Sequence, residues 1–351
     1  MRIAIIAITR NGARLGTQLR DGLGNGELYV LQKFVGQAGK GAVPFTGELK
    51  GLVAELWPAF DGFVFIMAAG IVVRMVAPHL AAKDVDPAVV VMDDAGKFAV
   101  SLLSGHLGGA NELACRCAFV AGAREVITTA TDANNLPSFD MLAKEEGWAI
   151  DDLCRVKTLN ALILEGEEIA VVDPTDRVRT AFHGTARLTF HDTFVEALQS
   201  GAKGFVFVTN RRLPPQTQAD SLLVLRPRNL VLGIGCNSGT EAGEIGEVVG
   251  VQMKRLFLSL KSVACIGSAE AKREEAGLLD FAREHGLPLR FFGSEELNGV
   301  SVPSPPSAHA LEAIGAIGVA EPAAVLASNG GRLLLQKIKS GNVTLAIAEI
   351  P

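Results

Sequence analysis

Short apolar runs alternate with helical patterns from one end of this chain to the other, and that alternation restricts it to a layered α/β fold. Ile3 to Ile8 reads as a buried strand, and Leu15, Leu19 and Leu23 follow at helical spacing. Leu28–Leu31 is a second short strand. Leu49, Leu52, Val53 and Leu56 mark a helix, Phe63–Met67 a strand, and Ile71–Val76 a helix ended or kinked by Pro78. Ala88–Met92 and Phe98–Leu102 flank Asp93, Asp94, Ala95 and Gly96, which is a hairpin signal. A helix is expected from Leu107 to Ala121 and a strand at Val126–Thr129.

The pattern continues through a middle segment, with a helix at Leu153–Leu164 and strands at Ile169–Val172, Phe205–Val208 and Leu222–Leu225. A third unit opens at Asn229, with strands at Leu230–Ile234, Val263–Ile266 and Leu287–Phe292. It closes on two strands, Leu333–Ile338 and Val343–Ile347, joined by Ser340, Gly341 and Asn342. At about 100–200 residues per domain, 351 residues hold two or three domains. We expect three: an N-terminal α/β domain over 1–137, a small middle α/β domain over 138–228 and a C-terminal α/β domain over 229–351. The first and last carry Rossmann-like strand–helix alternation.

The bulk chemistry excludes several classes. The 33 Lys and Arg against 38 Asp and Glu leave a net charge of -5 with no basic run, which argues against nucleic acid as a partner. No apolar run approaches the roughly 20 residues of a membrane span, and the first is too short for a signal-peptide core. The cysteines Cys115, Cys117, Cys154, Cys236 and Cys265 are scattered, without a Cys-x-x-Cys pair. They read as buried free thiols rather than metal ligands, and they imply a reducing cytoplasm.

In a doubly wound sheet, ligands bind beyond the carboxyl ends of the strands. Three strand-to-helix turns are therefore candidate binding turns. The first is Thr9–Gly12 with Arg10, and the second is Ala68–Gly70 leading to Arg74. The third is Gly233–Thr240, with Gly233, Gly235, Cys236, Asn237, Gly239 and Thr240. Glycine permits close backbone approach, and a helix N-terminus offers N–H groups to an anion. The third turn is open to three readings: a dinucleotide loop, a tight turn with no ligand, or a site for a carboxylate. Against the first, the loop is one residue longer than the usual fingerprint and lacks the expected acidic partner.

The densest polar segment is Ser104–Ala114. A helix starting just after His106 places that residue near a helix N-terminus, which favours a neutral imidazole able to accept a proton. The N–H groups of Gly108 and Gly109 could face a developing oxyanion, with Asn111 and Glu112 in the first turn beside the ligand. Equally, His106 could merely cap the helix, with the glycines allowing close packing. Asp93 and Asp94 are most simply turn residues. Thr131 to Asn135 follows a strand at the same kind of sheet edge, and could shape a pocket or be ordinary turn chemistry. The other histidines lack zinc-ligand spacing, and no serine-hydrolase elbow is present.

Phe65–Arg74, Ala77 and Pro78, Lys83, Asp86–Val91 and Ser101–Glu112 together resemble the N-terminal signature of the cobalt-precorrin-5A hydrolase family. The Gly233–Thr240 turn, Ala276–Leu279, Leu287–Phe292 and Gly318–Ala324 are similar to that family's C-terminal domain. Ser238 departs from the pattern, which commonly has a basic residue there, and Gly267–Lys272 is looser than the pattern.

The resemblance implies an enzyme of anaerobic cobalamin biosynthesis acting on a cobalt-bound, ring-contracted tetrapyrrole. Water opens a δ-lactone that joins a ring A acetate to a meso carbon, and a two-carbon fragment leaves as acetaldehyde. Cobalt arrives with the substrate, so neither a cofactor nor a metal site is expected. In this reading His106 is the general base or a proton relay, and Glu112 orients it or the water. Gly108 and Gly109 stabilise the oxyanion, and Asn111 contacts the substrate. Arg10, Gly70, Arg74, Lys83 and the turn residues Gly233, Gly235, Cys236, Asn237, Gly239 and Thr240 hold the substrate's periphery, the cations on its carboxylates. No nucleic-acid or membrane partner is expected. A homo-oligomer, or transient contact with neighbouring pathway enzymes, is open. The alternatives are a corrinoid carrier without catalysis and a nucleotide-dependent oxidoreductase using the Gly233 turn.

Overall fold

A computed structural model describes residues 1–82, 85–134, 136–214 and 221–351. They fall into two compact units, Met1–Met141 and Leu142–Pro351, and the second unit carries two sheets.

The first unit contains β1 (Ile3–Ala7), α1 (Arg10–Leu23), β2 (Gly26–Leu31), β3 (Val43–Phe45), α2 (Leu49–Leu56), β4 (Gly62–Ile66) and α3 (Ala69–Val76). Next come β5 (Ala88–Met92), β6 (Phe98–Leu103), α4 (Ala110–Ala121), β7 (Arg124–Val126), α5 (Ala130–Ala133) and the start of α6 (Phe139–Glu145). Its strands form one sheet in the order β3-β2-β1-β4-β5-β6-β7. β1 has no polar member because helices cover both faces of the sheet. Ile3, Ile5 and Ala7 share a core with Ala13 and Leu19 of α1 and with Leu113 and Ala114 of α4. Ala4 and Ile6 point the other way, into a core with Val53 and Leu56 of α2 and Val72 and Val76 of α3. Phe63 and Phe65 are fully buried in that second core, each worth about 1.5–3 kcal/mol of burial.

Strand direction decides where the polar loops emerge. β1 to β5 are parallel, β6 is antiparallel to β5, and β7 is parallel to β6. The turns after β1 and β4 therefore share an edge with the β5–β6 hairpin. There Asp94 accepts hydrogen bonds from the Thr9 hydroxyl and, at 3.1 Å, from Asn11 Nδ2. β6 carries the chain back until Leu103 pairs with Val89, so the loops after β6 and β7 lie at the opposite edge. The five-residue strands β1 and β4 hold the two edges about 17 Å apart.

The second unit opens with β8 (Ala149–Ile150), α7 (Leu153–Leu164), β9 (Ile169–Val172), α8 (Arg177–Phe182), β10 (Leu188–Phe190), α9 (Phe194–Gln199), β11 (Gly204–Val208) and β12 (Leu222–Arg226). The strand order is β10-β9-β11-β12-β8, parallel except for β8. The chain continues through β13 (Leu230–Cys236), α10 (Ala242–Arg255), β14 (Val263–Ala269), α11 (Ala276–Glu284), β15 (Leu289–Phe292), α12 (Ser294–Asn298), α13 (Ala308–Ile314) and α14 (Ala320–Ala327). A hairpin of β16 (Arg332–Ser340) and β17 (Val343–Glu349) completes the sheet β15-β14-β13-β17-β16. Polar bonds stitch the two sheets together. Asn210 Nδ2 donates to Asn229 Oδ1 and Glu349 Oε1, and Ser259 N–H donates to the Asn210 carbonyl. Within the middle sheet, the buried Arg226 at the end of β12 donates to Asp151, just after β8, through Nε at 3.0 Å and Nη2 at 2.5 Å. Among the described residues no helix is long and apolar enough to cross a membrane.

Candidate active site

Beyond β6 the chain turns sharply. Ser104 sits at φ 56°, and a Cβ on Gly108 would lie 2.3 Å from the Ser104 Cβ, so only glycine lets the loop close this tightly. The loop projects His106 between two carboxylates. Its Nδ1 lies 3.1 Å from Asp140 Oδ2 and its Nε2 lies 2.7 Å from Asp132 Oδ2. Thr131 Oγ1 is 3.2 Å from the same Nε2. The Asp140 side chain is 7% exposed, that of Asp132 40%, so one carboxylate is walled in and the other faces solvent. Asp132 Oδ2 also accepts from the Thr129 hydroxyl and, at 3.1 Å, from Asn111 Nδ2. Ser101 Oγ donates to Asn111 Oδ1 at 2.7 Å.

These contacts set the charge on the ring. The pKa of His106 is raised, first by the hydrogen bond to Asp140 and further by Asp132, with burial opposing them. The contacts therefore shift the ring towards the imidazolium, opposite to the shift expected from a helix N-terminus. The helix begins too late to act on it, at Ala110 rather than Leu107, with Gly109 as the N-cap at φ 87°.

Other expectations for this segment change with the geometry. Glu112 is exposed and makes no hydrogen bond to His106; Asp132 and Asp140 hold the ring instead. Gly109 N–H donates to the His106 carbonyl at 2.9 Å, so it is not available to an oxyanion. Gly108 N–H has no acceptor among the described residues. The buried Asn111 spends its amide on Ser101, Thr129 and Asp132, so it positions Asp132 rather than contacting a ligand. Asp132 lay in a segment expected either to shape a pocket or to be ordinary turn chemistry, and Asp140 was not among the expected site residues. The one local signal for Asp140 is its place in the first turn of a helix.

The remaining expected binding residues are not brought to His106. Arg10 is the exposed first residue of α1, and Gly70 and Arg74 lie on α3, all at the opposite edge of the sheet. Arg74 Nη1 donates back to the Gly70 carbonyl at 2.7 Å. Lys83 lies outside the described residues.

The Gly233–Thr240 segment is not an open anion turn. Gly233 and Gly235 lie inside β13, which runs on to Cys236. A Cβ on Gly233 would lie 1.8 Å from the Ala320 carbonyl oxygen, and one on Gly235 would lie 2.6 Å from Thr344 Oγ1. These glycines admit α14 and β17 rather than a ligand. Gly239, at φ 77°, already donates its N–H to Glu275 Oε1 at 2.6 Å, so a protein carboxylate fills the place expected for a substrate's. Lys272 pairs with Glu275 at 3.0 Å and reaches Ser238 Oγ at 3.3 Å. Asn237 is tied to Asn342, and the Thr240 hydroxyl donates to the Asn237 carbonyl. A dinucleotide pyrophosphate would meet Glu275 here, which argues against that reading.

The cysteines are free. Cys117 and Cys265 are buried, Cys236 is half-buried, and Cys115 and Cys154 are exposed, contrary to the expectation that all would be buried. Burial pushes the Cys117 thiol up to about 12. Among the described residues, no group of three or more His, Cys, Asp or Glu side chains could hold a metal ion.

Comparison with known proteins agrees along the chain. Residues 51–132 match the family described as Cobalamin synthesis G N-terminal, 137–227 the Cobalamin biosynthesis central region and 230–348 the Cobalamin synthesis G C-terminus. A cobalt-precorrin-5A hydrolase of Priestia megaterium is 36% identical over 99% of this chain and 95% of its own length. One from Salmonella typhimurium is 31% identical over 88% of this chain and 87% of its own. Protein CobE of a Sinorhizobium species is 31% identical over 34% of this chain and 79% of its own. With family matches in all three parts and a relative similar over its full length, this chain belongs to the cobalt-precorrin-5A hydrolase family.

Proposed function

We propose that this enzyme of cobalamin biosynthesis opens the δ-lactone of cobalt-precorrin-5A with water and releases acetaldehyde, giving cobalt-precorrin-5B. The observation that carries the assignment to a site is His106 held between the buried Asp140 and the half-exposed Asp132. Such a group can both give and take a proton.

An imidazolium held between two carboxylates suits an acid first and a base second. Asp132 takes a proton from the attacking water, and the new C–O bond converts the lactone carbonyl to a tetrahedral oxyanion. The Gly108 N–H is the backbone donor assigned to that oxygen. His106 gives its Nε2 proton to the departing ring oxygen as the acyl C–O bond breaks. The product carries a carboxyl group and a hydroxyl on the two-carbon unit. Neutral His106 then takes the hydroxyl proton, the C–C bond to the macrocycle breaks, and its electron pair stays with the macrocycle while acetaldehyde departs. Asp140 keeps the ring oriented throughout. Every step uses only water and proton transfer, so the reading needs no resident cofactor, and cobalt belongs to the substrate. The free cysteines support the cytoplasm as its compartment.

Arg10, Gly70 and Arg74 have no part in this pose, because the width of the sheet separates them from His106. The test is to incubate the pure protein with the cobalt lactone and assay acetaldehyde. Release by the parent chain and its loss in His106→Ala support the reading. Tight binding without release would make the protein a carrier.

A further inference from the structure

One side of α10 is covered and the other is not. Ile245, Val248, Val249 and Met253 turn into the C-terminal core. On the opposite side Gly243, Glu247, Gly250 and Lys254 follow one another at helical spacing, and all four are exposed. Val251 flanks them with 54% of its surface in water. A Cβ added at Gly243 or Gly250 would meet no atom within 4 Å, so each glycine leaves a gap in the helix surface. Glycine inside a helix costs stability relative to alanine, and no close approach within the chain accounts for that cost here.

The charges on this face are also unmatched. Glu247 and Lys254 have no ion-pair partner among the described residues. At 1.5 Å rise per residue they lie about 10 Å apart along the axis, too far to pair with each other. The helix dipole favours Lys254 in the last turn, but it does not explain Glu247, which lies beyond the first turn where the dipole has faded.

We propose that the outer face of α10 is a self-association surface, and that its partner is a second copy of this chain packed antiparallel across a twofold axis. With the axis passing between Gly250 and Val251, Glu247 of each copy meets Lys254 of the other. Val251 of each copy seats in the gap over Gly250 of the other, where the missing side chain lets the helices approach closely. Each contact is then made twice from the same positions, as a twofold interface requires. A purely acidic or purely basic partner would match only one of the two charges, so the charge pattern selects a second copy. A single pair of helices covers less than the roughly 1,600 Å² of a standard interface, which makes this a weak dimer with a Kd of about 1–100 µM. Every residue involved lies in the second unit, and none belongs to the His106 site.

The experiment is sedimentation velocity on the full-length protein from about 1 to about 200 µM, a range that brackets that Kd. The parent chain should pass from monomer to dimer. Glu247→Lys and Lys254→Glu each set like charges against one another at both contacts, so each should weaken association at least about tenfold. An equimolar mixture of the two variants should regain it, because each copy then offers the other the opposite charge at both contacts. A loss of folding in either variant could not produce that rescue. Gly250→Leu places its side chain in open space, so it should keep the parent Tm or raise it and still weaken the dimer. A parent chain that stays monomeric across the range would overturn the proposal. So would a dimer unchanged in both charge variants, or a mixture that associates no better than its components.

Discussion

The Nε2 atom of His106 lies 2.7 Å from Oδ2 of Asp132, the one carboxylate of the pair that solvent reaches. In the mechanism proposed above, Asp132 is the base that takes the proton from water. Asp132→Asn keeps the shape and removes the charge, so kcat for acetaldehyde release should fall by about 10²–10⁴ with KM little changed. A fall of less than about threefold would take the base role away from Asp132.

Asp140 is the main cause of the raised His106 pKa. A group whose folded pKa lies above its unfolded value adds stability that is fully present below the unfolded pKa, about 6.5, and lost as pH rises through the folded pKa. Removing the carboxylate with Asp140→Asn should therefore lower the His106 midpoint seen by NMR. In denaturant titrations the stability gap between parent and variant should be widest below about pH 6.5 and should narrow above the folded midpoint. A gap that grows with pH would contradict this account.

Glu112 faces solvent and does not touch the imidazole. Glu112→Gln should leave acetaldehyde release within about twofold of the parent, in line with surface changes of about ±0.5 kcal/mol. A large loss of kcat would restore the orienting role expected from its place beside His106.

Gly233 is a packing residue. The atom that a Cβ would strike is the backbone carbonyl of Ala320, 1.8 Å away, and a backbone atom cannot step aside as a side chain can. Gly233→Ala should destabilise the second unit by about 1–3 kcal/mol, read as a lower Tm with or without corrinoid. A parental Tm combined with weakened ligand binding would make it a binding glycine after all.

Much of the fold was legible because periodicity reports burial directly. Leu153–Leu164 and Ile169–Val172 form as read, since their apolar spacing records which side of each element meets a core. Element ends were less legible. α4 starts three residues later than expected because Gly109 adopts a left-handed cap, which the apolar pattern does not record. Gly233 and Gly235 read as a ligand turn because a glycine that admits a helix looks the same in sequence as one that admits a phosphate.

The chain's own order of residues determined the α/β layering, the strands and helices of each part, the family and the importance of the segment around His106. Tertiary structure alone decided the composition of the site. Asp132 and Asp140 stand 26 and 34 positions from His106, and no local spacing relates them. The direction of β6 is set by hydrogen bonds to β5, and that reversal sends His106 to one edge of the sheet while Arg10 and Arg74 stay at the other. Periodicity records how each strand meets its core, but strand direction depends on pairing between distant segments, and that pairing chose which charges meet.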